Sequence, residues 1–208
     1  MKIIDKVYGE EEIWEGVLID LINSKSVQRL KYVSQFGLPQ IYYHLPVYSR
    51  YEHSIGVLIL LRKLNANLKE QIAGLLHDIS HTSFSHIIDW VIGNPAKEDY
   101  QDSIYEEVLE NSEIPKILKK HNLDHNEIKD LKKFSLLEKE APSLCADRID
   151  YSLREFIQKD KKNVHFLIEN LINYNGQIVF NSDKAAKIFA EGYLELQKKS
   201  LGRGISNG

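Results

Sequence analysis

The segment 71-QIAGLLHDIS-80 runs an apolar stretch straight into an adjacent histidine and aspartate. Neighbouring side chains on a helix diverge by about 100°, so His77 and Asp78 cannot both face water if the helix is central. Burying an imidazole and a carboxylate without partners costs several kcal/mol. A divalent cation removes that cost, because both groups become ligands. Neutral imidazole suits zinc, iron, manganese or nickel, and carboxylate suits the harder ions. The chain is therefore expected to fold around this helix, with a metal ion at its end. Two further histidines, His81 and His86, follow within 74-GLLHDISHTSFSH-86.

The rest of the pattern is overwhelmingly helical. Trp14, Val17, Leu18, Leu21 and Ile22 recur at helical spacing and predict an amphipathic helix over 11–24. Further helices are expected at 25–35, 50–64, 68–79, 83–92, 100–111, 113–121, 125–134, 141–160, 163–173 and 183–199, with Pro142 suited to a first turn. Lys2–Tyr8 and 177-QIVF-180 read as short strands, and 36-FGLPQIYYHLPVYS-49 as a long loop of the kind that is often functional. The expected fold is mainly α, a helical bundle-like single domain over 1–201 with minor short β elements, followed by a mobile Gly-rich tail at 202–208. With 43% hydrophobic and 27% charged residues, the chain reads as an ordinary soluble protein. A net charge of −3 gives no global reason to expect nucleic acid or an anionic membrane as partner. Basic helix faces such as 158-QKDKKN-163 leave a nucleic-acid contact as a less favoured alternative. The single cysteine, Cys145, excludes an internal disulfide and reads as a buried inert thiol. No signal peptide is evident and no apolar run approaches the ~18 residues of a membrane span, so a cytoplasmic location is expected.

One His-Asp pair supplies two ligands, so others must come from elsewhere. In 50-RYEHSIGV-57, His53 sits near the start of a helix; in 144-LCADRIDYSLRE-155, Asp147 lies in an apolar helical stretch with Asp150 close by. Together His53, His77, Asp78 and Asp147 resemble the H…HD…D signature of HD-domain phosphohydrolases. The runs 28-QRLKYVSQFG-37, 50-RYEHSIGV-57, 75-LLHDISHTSFSH-86 and 146-ADRIDY-151 are similar to the subgroup of deoxynucleoside triphosphate triphosphohydrolases. The resemblance covers roughly residues 1–160.

The resemblance implies hydrolysis of a dNTP to a deoxynucleoside and triphosphate, one divalent metal ion (Mn, Fe, Zn, Ni or Mg), Mg with the nucleotide, and a homo-oligomer. Carried over, His53, His77, Asp78 and Asp147 are the ligands. His81 and His86 line the phosphate side, one of them a candidate general acid. Arg50 and Arg148 hold phosphate oxygens, Gln35 and Tyr151 lie near the sugar, and Glu155 stands where an aspartate often reads the 3′-hydroxyl. Glu155 for that aspartate is one departure, and three more stand out. Thr82-Ser83 replaces a Gly-Pro pair, Arg148 replaces a lysine, and Lys97-Glu98 replaces a His-Glu pair whose histidine is a candidate acid. Lys97 and Glu155 keep open a phosphodiesterase or phosphatase of the same fold, and the lost histidine a non-catalytic nucleotide- or nucleic-acid-binding module.

Overall fold

A computed structural model describes residues 1–37, 47–93 and 99–205, with side chains up to 198. A hairpin of β1 (Lys2–Asp5) and β2 (Gly9–Glu12) leads into α1 (Gly16–Ile22) and α2 (Lys25–Arg29). Next come α3 (Arg50–Lys63), α4 (Leu68–Leu76), α5 (Ile87–Val91), α6 (Tyr100–Glu110) and α7 (Ile114–Lys120). After two 3-10 turns follow α8 (Ala146–Phe156) and α9 (Lys161–Glu169), a second hairpin of β3 (Leu171–Tyr174) and β4 (Gln177–Phe180), and α10 (Asp183–Ile205). Among the described residues the fold is mainly α, with two antiparallel two-stranded sheets. No described helix is long and apolar enough to cross a membrane.

Helix α3 is the axis. Every residue from His53 to Leu61 is buried, as for a helix surrounded by others. Ser49 and Glu52 start it with a reciprocal capping box. Ser49 Oγ accepts from the Glu52 N–H at 3.2 Å, and Glu52 Oε2 accepts from the Ser49 N–H at 2.8 Å. That cap fixes the turn carrying Arg50 and His53. Asn67 caps α4 by accepting from the Glu70 N–H at 3.0 Å. α3 packs against both α4 and α8. Two glycines make this possible. A Cβ on Gly74 of α4 would lie 2.3 Å from Leu61 Cδ1, and one on Gly56 of α3 would lie 2.0 Å from Asp150 Oδ1 of α8.

Several elements differ from expectation. The segment 9–12 pairs with 2–5, so α1 begins only at Gly16. Trp14 consequently leaves the expected core face and is 72% exposed, while Ile13 is fully buried. The helix expected over 25–35 stops at Arg29 and tightens into a 3-10 turn over Leu30–Tyr32. The polar stretch 125–134 forms only 3-10 turns, His125–Glu127 and Leu131–Lys133; its few apolar residues give a helix no continuous face to bury. Pro142 precedes α8 rather than opening it, and its bond to Ala141 is cis. Residues 171–174 leave α9 to pair with 177–180 around Asn175 and Gly176, both at positive φ, a hairpin-turn pair. α10 runs to Ile205, past the expected end at 199, since no proline stops it. Most of the 36–49 loop and the Lys97-Glu98 pair lie outside the described residues.

A candidate metal centre and its cavity

Three helices deliver three ligand atoms to one point. His53 stands on the first turn of α3, His77 is the residue on which α4 ends, and Asp147 is the second residue of α8. His53 Nε2 lies 2.8 Å from Asp147 Oδ1 and 3.2 Å from His77 Nε2. His77 Nε2 lies 3.7 Å from the same Asp147 oxygen. The far ring nitrogens set the tautomers. His77 Nδ1 is 2.7 Å from the Gly74 carbonyl, which can only accept, so Nδ1 carries the proton. His53 Nδ1 is 2.7 Å from Asp150 Oδ2, with the same consequence. The neutral imidazoles thus point two lone pairs and a carboxylate oxygen at each other with no donor between. Such a set needs a proton or a cation at its middle. Two imidazole nitrogens and a carboxylate, each imidazole anchored through its other N–H, fit a divalent metal ion.

Without the ion, a proton takes its place. Burial would lower His53, but hydrogen bonds to Asp147 and Asp150 outweigh it and push its pKa up to about 9. His77 is raised against its burial by the charge of Asp78 and a hydrogen bond to Asp147. Asp147 is held far below the carboxylate range, because His53 and His77 outweigh its desolvation.

Asp78, the fourth expected ligand, lies at the edge of this group. Its Oδ1 is 3.5 Å from His77 Nε2 and 3.3 Å from His81 Nε2, while Oδ2 accepts from Arg50 Nη1 at 2.8 Å. Despite burial, the charges of Arg50, His77 and His81 keep its pKa well below the ordinary value. Arg50 is itself buried, and each of its three guanidinium nitrogens has a partner. Nε donates to Ser85 Oγ at 2.8 Å and Nη2 to the Gln35 carbonyl at 3.3 Å. Ser85 adopts φ +46° and passes its own hydroxyl proton to the Ser34 carbonyl at 2.8 Å. Burial pushes His81 down to about 4, more than Asp78 raises it, so it is neutral at pH 7. His86 meets the His81 ring edge-on at 4.9 Å, with Nδ1 3.6 Å from Asp89 Oδ2.

The centre opens into a cavity of about 530 Å³. Gln35, Arg50, His81, His86, Arg148 and Tyr151 line it. Glu155 does not belong to this wall; its charge bears instead on Tyr48. Arg148 turns its guanidinium to the Ser143 carbonyl and to that of Lys139 at 3.1 Å. The Tyr151 hydroxyl lies 3.2 Å from that of Tyr193. Cys145 is buried and its thiol pKa raised by desolvation, as an inert thiol requires.

Three residues of this neighbourhood escape the sequence, and a fourth, Asp150, is noted there without a role. Gln101, Asp102 and Glu138 line the cavity from polar segments that read as solvated surface, where no local signal marks them. Gln101 Oε1 accepts from Ser80 Oγ at 2.8 Å. Asp102 and Glu138 are raised first by burial and then by neighbouring carboxylates. Asp150 was visible in principle: three residues beyond Asp147, it shares a helix face with it.

The HD domain family model matches residues 50–155, about half of the chain. The uncharacterized protein YdhJ of Bacillus subtilis is 45% identical over 93% of this chain and 60% of its own length. The metal-dependent phosphohydrolase cns2 of Cordyceps militaris is 40% identical over 76% of this chain and 46% of its own. The deoxynucleoside triphosphate triphosphohydrolase SAMHD1 of Gallus gallus is 35% identical, over 43% of this chain and 17% of its own. A hypothetical protein of Aquifex aeolicus shares the fold with a TM-score of 0.70 at 25% identity, across 95% of this chain and 58% of that one. The chain thus spans about half to three-fifths of the length of the first two relatives. With the family model lying across all four expected ligands and the two buried arginines Arg50 and Arg154, the chain belongs to the HD domain family.

Proposed function

We propose that the protein is a metal-dependent phosphohydrolase acting on a nucleotide, and that its reaction is hydrolysis of a dNTP to deoxynucleoside and triphosphate. The observation that carries this reading is the convergence of His53 Nε2, His77 Nε2 and Asp147 Oδ1 beside a cavity of about 530 Å³. These residues, with Asp78 alongside, would hold one divalent ion. Such an ion supplies Lewis acidity toward a phosphoryl oxygen and lowers the pKa of a water. Arg50, fixed by Asp78 and Ser85, sets a positive charge beside the phosphate position. His81, neutral at pH 7, offers a hydrogen bond rather than a proton. His86, backed by Asp89, is the group that hands a proton to the leaving 5′-oxygen. Gln35 and Tyr151 face the sugar. The partial likeness to SAMHD1 supports a nucleotide substrate.

A second reading is a phosphomonoesterase of the same fold. Two observations favour it. The donors of Arg50 and Arg148 named above already serve protein acceptors. The cavity wall also carries Asp102 and Glu138, carboxylates that repel a highly charged triphosphate. The deciding experiment incubates the protein, loaded in turn with Mn, Fe, Co, Ni, Zn and Mg, with dNTPs, NTPs, nucleoside monophosphates and phosphodiesters, and separates the products by ion exchange. Deoxynucleoside plus triphosphate is expected. Orthophosphate from monophosphates selects the second reading, and an absence of turnover across the panel refutes both.

A further inference from the structure

We propose that the β1–β2 turn is part of the metal centre: Asp5 is a positioning residue for His53, acting through Arg154 and Asp150. The proposal rests on the metal-binding reading of His53, His77 and Asp147. Four ionisable side chains run in series from the N-terminal hairpin to that centre. Asp5 Oδ2 accepts from Arg154 Nη2 at 2.8 Å. Arg154 Nε donates to Asp150 Oδ2 at 2.7 Å. The same Asp150 oxygen accepts from His53 Nδ1 at 2.7 Å. None of the four residues is more than 7% exposed.

The hairpin is fastened to the first link. Asp5 Oδ1 accepts from the Val7 N–H at 2.8 Å and the Tyr8 N–H at 3.1 Å, so the carboxylate that shapes the turn also holds the arginine. Arg154 lies 5.7 Å over the Tyr48 ring, which confines it from another side. Helix α3 leaves room for the series by carrying glycine at 56, where a Cβ would stand 2.1 Å from Arg154 Nη2.

The shared oxygen makes the series more than a buried ion pair. Among the described residues Asp150 Oδ2 accepts from both Arg154 and His53, while its other oxygen meets no donor in good geometry and the buried Tyr8 hydroxyl interacts with the carboxylate as a whole. The more tightly Arg154 draws that oxygen, the less basic it is toward the His53 N–H, and the poorer a donor Nε2 becomes toward a metal. Asp5 takes up part of the charge of Arg154 and leaves Asp150 free to polarise the imidazole. The N-terminal hairpin thereby tunes a metal ligand on α3 through α8.

The test is titration of the purified chain with Co²⁺, read by calorimetry and by the visible absorption of the bound ion. Asp5→Asn keeps Oδ1 as an acceptor for the Val7 and Tyr8 N–H groups, and removes the charge together with the Oδ2 acceptor that holds Arg154. It is expected to weaken Co²⁺ binding about three- to tenfold and to shift the absorption band, while Asp150→Asn weakens binding about 10–100-fold. Asp5→Glu is expected to recover most of the loss. Glu10→Gln, in the same hairpin but in an exposed pair with Lys2, is expected to leave the Kd unchanged. A folded Asp5→Asn with wild-type Kd and spectrum overturns the proposal, as does an equal loss in Glu10→Gln. Should Asp5→Asn not fold, Arg154→Lys takes its place: a single ammonium cannot serve Asp5 and Asp150 together and pulls less on Asp150 Oδ2, so Co²⁺ binding is expected to tighten, and a wild-type or weaker Kd overturns the proposal. A wild-type chain that takes up no Co²⁺ is a separate result and removes the metal reading itself.

Discussion

Gly56→Ala should destabilise this protein, although the same change in an ordinary helix stabilises it by about 1 kcal/mol. The new Cβ would sit 2.0 Å from Asp150 Oδ1, 2.1 Å from Arg154 Nη2 and 2.8 Å from Asp150 Cγ. Ordinary contact needs about 3.4 Å or more, so Asp150 must retreat by about 1.4 Å. That carries its Oδ2 beyond hydrogen-bond range of His53 Nδ1, now 2.7 Å away. Overpacking costs about 1–3 kcal/mol, and loss of a charged hydrogen bond about 1.5–3 kcal/mol. Against the gain in helix propensity, the net loss is roughly 2–5 kcal/mol. In a chain of this size that lowers Tm by roughly 5–15 °C. Urea unfolding of the metal-free protein, with m unchanged, measures the difference. Equal or greater stability in the alanine variant would refute the claim that α3 carries glycine there to admit Asp150 and Arg154.

In the metal-free protein, stability should depend on pH with a maximum between about pH 6 and 7. The folded pKa of His53 is raised to about 9, so its contribution is complete below 6.5 and lost as pH rises through about 9. His81, lowered to about 4, and Asp147 and Asp78, also lowered, contribute stability that is lost as pH falls. Thermal melts from pH 4 to 10 test this; stability still rising at pH 9 to 10 would contradict it. Metal affinity should instead tighten from pH 6 to 9, because the ion displaces the His53 proton; titrations at four pH values read this directly. Arg50→Lys should cost about 2–4 kcal/mol in urea, since an ammonium cannot serve Asp78, Ser85 and the Gln35 carbonyl together; a loss below about 0.5 kcal/mol would show that the fork is not needed. Trp14→Ser should stay within about 0.5 kcal/mol of the parent, while Ile13→Ala loses about 2–4 kcal/mol, the reverse of what a helix over 11–24 requires.

The candidate centre was legible because His53 and His77 sit on helices whose apolar runs mark them as central, and Asp147 near the start of a strongly amphipathic one. The runs around His53, His77 and Asp147 can only be buried, and a buried imidazole or carboxylate demands a partner. The mostly α fold followed from the same periodicity. What the sequence hid was set by pairing across distance. Gly9–Glu12 carries three consecutive glutamates and reads as helix or turn, yet becomes a strand because Lys2–Asp5 lies opposite. Leu171–Tyr174 continues the apolar period of α9 and is drawn into a hairpin by Asn175-Gly176, a turn signal present in the sequence but outweighed by that period. Asp102 and Glu138 lack any local mark, since only the packing of α6 and the segment before α8 brings them to the cavity. Asp5 and Arg154 stand 149 residues apart, a separation across which no spacing rule operates.

The most direct measurement is the metal content of the purified chain by elemental analysis, paired with the same measurement on His53→Ala, His77→Ala and Asp147→Ala. One divalent ion per chain in the parent and well below one in each folded variant is the expected result. A parent with no bound metal, or variants that retain it in full, would contradict a centre built from those three side chains.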